Sequence, residues 1–259
     1  MASGKMGFYW GASFVPLSLF LLYIRVPMSP ILPPAEEKSR FVQEMFGGIA
    51  DRYDLANHLL SGGLDFLWRR RAARIIRKWL PTRILDLATG SGDLALTLKK
   101  ACPETVVVGA DFCQPMLEVA RRKGLDRLVV ADGLQLPFEE SSFDVVTIAF
   151  GLRNMASWPI ALAEMRRILK PGGHVLILDF SVPHVPLRWV YRPYLHHVLP
   201  RIAALVTGKK AAYDYLGASI EQFPQGPAMC VLLEEAGFVD PEHEPLSGGI
   251  VSLYTATRS

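Results

Sequence analysis

The residues that decide the fold are Ile84-Leu85-Asp86-Leu87-Ala88-Thr89-Gly90-Ser91-Gly92-Asp93, an apolar run that passes directly into a glycine loop. A second apolar run, Val106-Val107-Val108-Gly109-Ala110, follows the loop and ends at the carboxylate of Asp111. Glycine tolerates the backbone angles of a tight turn, and a carboxylate at the tip of the second strand can accept both hydroxyls of a ribose. The spacing therefore predicts a strand, a turn, a helix and a second strand that bind a nucleotide-like ligand.

The loop by itself leaves two cofactors open. Gly90-x-Gly92-x-x-Ala95 also fits the dinucleotide fingerprint in its G-x-G-x-x-A form. Asp86 would repel the pyrophosphate of NAD, and a low dielectric would strengthen that repulsion. S-adenosylmethionine has no phosphate and carries two cationic groups, an ammonium and a sulfonium. We therefore expect S-adenosylmethionine. The alternative function is that of an NAD-dependent oxidoreductase. The alternative role for Asp86 is purely structural, as a cap of the turn that follows it.

Size and composition narrow the class of protein. The chain has 259 residues, half of them hydrophobic, which suits one α/β domain with a full core over residues 35–259. A formal net charge of +3 is too weak to indicate a nucleic-acid partner. Cys102, Cys113 and Cys230 are scattered and match neither a disulfide framework nor a zinc site. This pattern fits a reducing cytosol, and we expect no metal.

Residues 1–34 differ from the rest of the chain. No charged residue occurs between Met6 and Ile24, and a proline-rich linker follows. The run is barely long enough to span a bilayer and contains Pro16. It is either an apolar leader that anchors the protein, a segment that lies on a surface, or the product of a misassigned start codon, with Met28 as the true start.

Beyond the glycine loop, apolar runs alternate with amphipathic stretches, which is typical of parallel sheets built from right-handed crossovers. The predicted strands are Arg83–Leu87, Val106–Ala110, Leu128–Ala131, Val145–Phe150, His174–Phe180, Phe238–Glu242 and Ile250–Thr257. The predicted helices around them are Asp93–Ala101, Gln114–Lys123, Pro159–Leu169, Ala211–Glu221 and Met229–Ala236. This order predicts an α/β fold with a Rossmann-like, mainly parallel seven-stranded sheet, helices on both faces and a C-terminal antiparallel hairpin.

Two regions flank this pattern. Before the sheet we expect a helix over Glu37–Ala50, a helix and turn over Ile49–Trp68, and a basic helix over Trp68–Leu80. The basic helix indicates a solvated face, with anionic lipid headgroups as the functional alternative. Pro183–Gly208 is aromatic, basic and rich in proline, and we interpret it as an insertion that covers the active-site edge of the sheet.

Several motifs together match a known family. They are Tyr53-Asp54-x-x-Asn57-x-x-x-Ser61, Trp68-Arg69-Arg70, Phe150-Gly151-Leu152-Arg153-Asn154, Arg167-Ile168-Leu169-Lys170-Pro171-Gly172-Gly173, Tyr213-x-Tyr215-Leu216-x-x-Ser219-Ile220-x-x-Phe223-Pro224 and Gly248-Gly249-Ile250-Val251. Over about residues 41–257 the chain thus resembles the C-methyltransferases of quinone biosynthesis. The resemblance implies the class I methyltransferase form of the Rossmann-like fold.

The resemblance also implies an activity. Methyl transfer from S-adenosylmethionine to a ring carbon of a prenylated quinol is expected, with demethylmenaquinol as the favoured substrate. A polyprenyl-methoxy-benzoquinol is the alternative, and a small-molecule O- or N-methyltransferase is the rival within the class. A cytosolic domain that touches the membrane surface is implied, and a homodimer is a further implication. In Pro183–Gly208, an apolar tunnel or bilayer-facing surface for the tail is favoured over a catalytic pair of His196 and His197.

The candidate site residues follow from the loop and the motifs. The expected cofactor-binding residues are Asp86, Thr89, Gly90, Ser91, Gly92, Asp111, Phe112, Met116, Asp132, Gly133 and Ala149. The expected catalytic residues are Arg153, Asn154, Tyr53 and Asp65. Arg153 can stabilise a developing phenolate without titrating itself, and Asn154 can orient the ring or a water. Asp86 is expected to meet the ammonium of the cofactor, directly or through water.

Overall fold

The computed structural model describes residues 33–195 and 210–259, and seven strands within these ranges form one sheet. They are β1 (Arg83–Leu87), β2 (Val106–Asp111), β3 (Leu128–Val130), β4 (Phe143–Ala149), β5 (Leu169–Phe180), β6 (Phe238–Leu246) and β7 (Val251–Arg258). The strand order is β3-β2-β1-β4-β5-β7-β6. Neighbouring strands are parallel except that β7 runs antiparallel to both β5 and β6. The predicted fold class, including the C-terminal hairpin, is confirmed.

Helices cover both faces of the sheet. Among the described residues they are α1 (Ala35–Gly47), α2 (Ala50–Leu60), α3 (Leu64–Lys78), α4 (Asp93–Ala101), α5 (Gln114–Arg122), α6 (Trp158–Ile168), α7 (Leu187–Pro193), α8 (Lys210–Gln222) and α9 (Pro227–Glu235). Leu85 and Leu87 of β1 belong to the hydrophobic cluster that includes α6 and α9. Ile84 belongs to the cluster that includes α3 and α4, because successive side chains of a strand point to opposite faces.

The glycine loop joins β1 to α4 as the sequence predicts. Gly92 precedes α4 with a φ of 83°, in the left-handed region that favours glycine. In β2, a Cβ on Gly109 would lie only 2.9 Å from Cγ2 of Thr89, so the strand must carry a glycine beside the loop. These two positions bring β1, the loop and β2 close together at one edge of the sheet.

Some predicted boundaries are wrong. The helix expected over Glu37–Ala50 ends at Gly47, and α2 begins at Ala50. The basic helix begins at Leu64 rather than Trp68. The buried Trp68 lies on the apolar side of α3, one turn inside the helix, and does not mark its start. The strand expected over Phe238–Glu242 continues to Leu246, since an edge strand tolerates its two prolines.

The predicted leader over residues 1–34 lies outside the described residues apart from Pro33 and Pro34, as do His196 and His197. Within the described ranges, we find no helix that combines the length and apolar character needed to cross a bilayer.

Candidate active site: two adjoining cavities

A cavity of about 730 Å³ opens at the C-terminal ends of β1, β2 and β4. Seven of the predicted cofactor-binding residues line it: Gly90, Asp111, Phe112, Met116, Asp132, Gly133 and Ala149. Thr89, Ser91, Gly92 and Asp86 do not. Ligands of open α/β sheets bind at this edge of the strands. We call this space the cofactor cavity.

Glycines keep the cofactor cavity open. Gly90 has a φ of 55°, and a Cβ there would lie 3.3 Å from Cε of Met116. A Cβ on Gly133 would lie 2.5 Å from Cε of Met155, a distance that no real side chain adopts. Both contacts are with the movable ends of methionine side chains, so at these two positions the cavity wall is backbone, a cradle that a nucleoside can approach once the methionine ends shift.

Asp111 is the carboxylate that faces the cofactor cavity. The backbone amides of Gly90 and Cys113 donate hydrogen bonds to its two oxygens, at 2.9 and 2.8 Å. Each carboxylate oxygen has a second lone pair, so the group can still accept both hydroxyls of a ribose. Burial raises the pKa of Asp111 to about 6. An ionised Asp111 and the glycine cradle fit the nucleoside part of S-adenosylmethionine.

Asp86 lies behind the loop and is 1% exposed. The hydroxyls of Thr89 and Thr147 donate to its two oxygens, at 2.7 and 2.6 Å. Burial raises the pKa of Asp86 to about 6, although both hydrogen bonds oppose the shift. Through Thr89, this carboxylate holds the loop in place. Its expected contact with the cofactor ammonium stays a prediction.

A second cavity of about 1520 Å³ adjoins the first, and most of its lining is apolar. Helices α1, α2, α3, α7 and α8 all contribute to its walls. Four residues line both cavities and form their common wall: Phe46, Tyr53, Phe150 and Asn154. Arg153 and Asp65 line the second cavity. The structure thus places all four predicted catalytic residues around one space, which we call the substrate cavity.

Arg153 follows β4 in a short 3-10 turn and is 4% exposed. Its Nη1 donates to Oδ1 of Asp179 at 2.7 Å and to the carbonyl of Phe150. Its guanidinium also lies over the ring of Phe180, 5.3 Å from the ring centre. A buried cation that is paired and hydrogen-bonded in this way has a fixed position.

Three buried polar atoms of the substrate cavity have no hydrogen-bond partner within the described part of the chain. They are Nε of Arg153, Oδ1 of Asn154 and the hydroxyl of Tyr215. Burial raises the pKa of Tyr215 to about 12, so this hydroxyl stays protonated and can donate. Because an unpaired buried polar group costs free energy, two donors and one acceptor in one cavity indicate a ligand with polar oxygens.

Asp65 is surrounded by hydrogen-bond donors. Ser61 donates to one of its oxygens at 2.8 Å, while Arg69 and His58 contact the other. Burial would raise the pKa of Asp65, but these hydrogen bonds and the charge of Arg69 outweigh burial and lower it. Asp65 is therefore an ionised carboxylate that holds its neighbours.

The N-terminal helices are attached to both cavities through charged side chains. In α2, Asp54 accepts a hydrogen bond from the hydroxyl of Ser91 in the glycine loop and pairs with Lys123 at 2.8 Å. In α1, Nζ of Lys38 donates to the carbonyls of Arg153 and Met155, both at 2.9 Å. Helices α1 and α2 thus cover the two cavities as a lid that is hydrogen-bonded to the site.

Comparison with known proteins agrees with this geometry. The model of the ubiE/COQ5 methyltransferase family matches residues 34–258. The chain belongs to this family. It is 48% identical to a demethylmenaquinone methyltransferase of Thermus thermophilus over 220 residues, which cover 83% of this chain and all of that one. It is 43% identical to a demethylmenaquinone methyltransferase of Deinococcus radiodurans, with 88% and 97% of the two chains covered.

Solved structures show the same fold at low identity. A Thermotoga maritima S-adenosylmethionine-dependent methyltransferase, described as a possible histamine N-methyltransferase, has a TM-score of 0.61 at 20% identity and covers 83% of this chain and 99% of its own. Human N-acetylserotonin methyltransferase, in complex with S-adenosylmethionine, has a TM-score of 0.59 at 17% identity, with 88% and 60% covered. The family match and the demethylmenaquinone methyltransferase relatives confirm the predicted class of S-adenosylmethionine-dependent methyltransferase and its cofactor.

Three residues of the site were missed by the sequence analysis. Asp179 ends the apolar run Ile177-Leu178, the same signal that identified Asp111, and could have been found in this way. Tyr215 was part of a quoted motif but received no role. Lys38 is buried on an otherwise ordinary amphipathic helix, and no sequence pattern marks it.

Proposed function

We propose that this member of the family transfers a methyl group from S-adenosylmethionine to a ring carbon of demethylmenaquinol. The observation that supports it most is the common wall of the two cavities. A large, mostly apolar cavity, whose lining residues include three with unpaired polar atoms, directly adjoins the cofactor cavity. A quinol with an isoprenoid tail has the matching chemistry, an oxygen-bearing ring on an apolar chain.

Demethylmenaquinol is preferred over a benzoquinol because the two relatives described above are named demethylmenaquinone methyltransferases. Other relatives, including one from Syntrophotalea carbinolica, are named ubiquinone/menaquinone biosynthesis C-methyltransferases. A polyprenyl-methoxy-benzoquinol therefore stays the second candidate.

When bound, S-adenosylmethionine supplies a methyl group on a positively charged sulfur. The glycine cradle and Asp111 would hold its nucleoside, and Ala149, at the end of β4, lines the same cavity next to Phe150 of the common wall. Phe112 and Met116 would pack on the adenine, and Asp132 and Gly133 would border it. Ser91 and Gly92 shape the loop, with Ser91 bonded to the lid through Asp54.

On the substrate side, the chain must make a ring carbon nucleophilic. A carbon beside a phenolic oxygen gains electron density when that oxygen loses its proton, so the substrate must be the reduced quinol. In this proposal Arg153 and Tyr215 donate to ring oxygens and Asn154 accepts from one of them. The fixed positive charge of Arg153 stabilises the phenolate that forms. A site of this kind needs the ring and the methyl group held in line and screened from water.

Tyr53 and Asp65 have supporting roles in the proposal. Tyr53 belongs to the common wall, and burial raises its pKa even though Arg153 lowers it, so it remains a neutral donor. Asp65 lines the substrate cavity and orients Arg69 and His58 through its hydrogen bonds. Since the substrate is a lipid, we also propose that the protein works at the membrane surface from the cytosol. A homodimer remains a prediction from the resemblance.

The test is mass spectrometry of the quinone pool in cells that lack the gene. We expect demethylmenaquinone to accumulate, and the wild-type gene to restore menaquinone. Accumulation of an unmethylated benzoquinone precursor would instead identify the polyprenyl-methoxy-benzoquinol as the substrate. An unchanged quinone pool would refute both.

A further inference from the structure

The turn between α2 and α3 presents apolar side chains to solvent at the substrate cavity. Leu59, near the end of α2, and Leu64, at the start of α3, both line the cavity and are both exposed. Phe66 and Leu67 do not line it, and they are 48% and 56% exposed. A contiguous apolar patch on a soluble protein usually marks an interaction site. We call these four residues the α2–α3 lip.

Both helices change from apolar to polar with distance from the lip. The exposed residues of α3 beyond Leu67 are all basic: Arg70, Arg74, Arg77 and Lys78. On α2 the exposed face runs back from Leu59 through Leu55 to Arg52. With a rise of about 1.5 Å per residue, Arg70 stands roughly 5–9 Å from the lip residues of α3. With the turn entering the bilayer first, this separation along the axis of α3 is close to the depth of about 5–10 Å to which interfacial helices bury their apolar side chains.

Helix α7 continues this apolar surface. Tyr191 and Tyr194 line the substrate cavity, and the hydroxyl of Tyr194 donates to the carbonyl of Leu60 at 3.1 Å. That bond joins α7 to the end of α2. The same helix exposes Trp189 and Val190 to solvent. Apolar side chains therefore border the substrate cavity from the lip and from α7.

We propose that the α2–α3 lip docks onto an anionic bilayer, with the lip in the acyl boundary and the arginines of α3 among the lipid phosphates. The inference rests on the proposed function, because a cavity that opens at the lip lets an isoprenoid tail enter from the bilayer without crossing water. The occupant is identified by its chemistry. In an anionic bilayer the apolar acyl chains lie directly beneath negatively charged headgroups. Along α3 the apolar lip residues are followed by basic residues, which is the matching order.

A local probe on the full chain tests this placement. In a Cys230→Ser background, Leu67→Cys would be labelled with an environment-sensitive fluorophore, and the two remaining cysteines are buried. Ile160→Cys on α6 is the matched control, since Ile160 is 51% exposed and belongs to the opposite face of the sheet. We expect phosphatidylglycerol-containing vesicles to shift the emission of the label at 67 to the blue, and brominated lipids to quench it. Phosphatidylcholine alone should have a weaker effect, and the label at 160 should not respond.

An activity assay separates this inference from the proposed function. Leu67→Asp should lower turnover of a long-tailed quinol in anionic vesicles roughly tenfold or more, since one apolar side chain contributes about that factor to partitioning. Its turnover of a short-tailed soluble quinol should equal that of the wild type, and Ile160→Asp should change neither. Equal vesicle turnover by Leu67→Asp and wild type, or no emission shift at 67, would overturn the docking surface. Failure of the wild type on the soluble quinol would instead overturn the proposed function.

Discussion

Nη1 of Arg153 lies 2.7 Å from Oδ1 of Asp179, and the two side chains are 5% and 1% exposed. Asp179 stands at the C-terminal end of β5, and its other oxygen accepts the backbone amide of Arg153 at 3.3 Å. One carboxylate therefore holds both the backbone and the side chain of this arginine. The pair fixes an arginine that lines the substrate cavity, where we place the ring of the substrate, and whose Nε has no partner among the described residues.

Removal of one member of this pair should destabilise the protein. Asp179→Ala leaves a buried guanidinium without its counter-charge, which costs about 3–5 kcal/mol of the free energy of unfolding. Urea denaturation followed by circular dichroism measures this loss. Asp126→Ala is the matched control, because Asp126 pairs with Lys99 on the surface and solvent screens that pair. If both variants unfold at the wild-type urea concentration, the Arg153–Asp179 pair is not the fixed element described here.

The hydroxyl of Tyr215 should matter for the quinol and not for the cofactor. Tyr215→Phe removes one donor and should lower kcat/KM for the quinol roughly 2- to 13-fold, the effect of one hydrogen bond worth about 0.5–1.5 kcal/mol. Calorimetric titration with S-adenosylhomocysteine should give an unchanged Kd. Tyr194→Phe is the control, since its hydroxyl already donates to Leu60. If Tyr215→Phe has the same kcat/KM as the wild type, the hydroxyl of Tyr215 does not bind the quinol.

Cofactor affinity should fall in acid. Burial raises the pKa of Asp111 from 3.8 to about 6, so between about pH 4 and 6 this carboxyl ionises in the unfolded chain but stays mostly protonated in the folded protein, and the stability of the ligand-free protein falls as the pH rises. The ribose hydroxyls are expected to bind the ionised form. At about pH 5 only about a tenth of Asp111 is ionised, so affinity should drop roughly tenfold from its value near pH 7. Asp86 has a similarly raised pKa and adds to the effect.

Titration with S-adenosylhomocysteine in buffers of different ionisation enthalpy measures this dependence and the proton released on binding. Asp111→Asn should bind more weakly near neutral pH and show a shallower pH dependence. An affinity that is constant between about pH 5 and 7 would contradict the role of Asp111.

Much of the fold could be predicted because local patterns determine it. The apolar run before Gly90, the glycine spacing and the terminal Asp111 encode strand, turn and strand within one short segment. The start of α3 could not be predicted in this way. Residues 64–67 are mostly exposed, and only the packing of Trp68 against the sheet shows that the helix extends back to Leu64. The apolar side chains of the lip are exposed, so the apolar pattern of residues 64–67 does not mark the buried side of the helix.

Site residues could be predicted where the same short segment contains both the recognisable sequence pattern and the functional side chain. Arg153 and Asn154 follow soon after β4, and the sheet edge brings both of them to the substrate cavity. The contacts of Lys38 could not be predicted, because its partners are backbone carbonyls more than a hundred residues away along the chain. For Tyr215 the decisive property is an unpaired hydroxyl, which depends on the packing of α8 against the rest of the cavity.

Methylation of a ring carbon is tested most directly by a methyl-transfer assay with purified protein, deuteriomethyl-labelled S-adenosylmethionine and demethylmenaquinol. We predict that mass spectrometry and NMR will find the labelled methyl group on a ring carbon. The oxidised quinone should give no product, and Arg153→Ala should lose turnover while its affinity for S-adenosylhomocysteine is unchanged. A labelled methyl group on oxygen, or wild-type turnover by Arg153→Ala, would contradict the account.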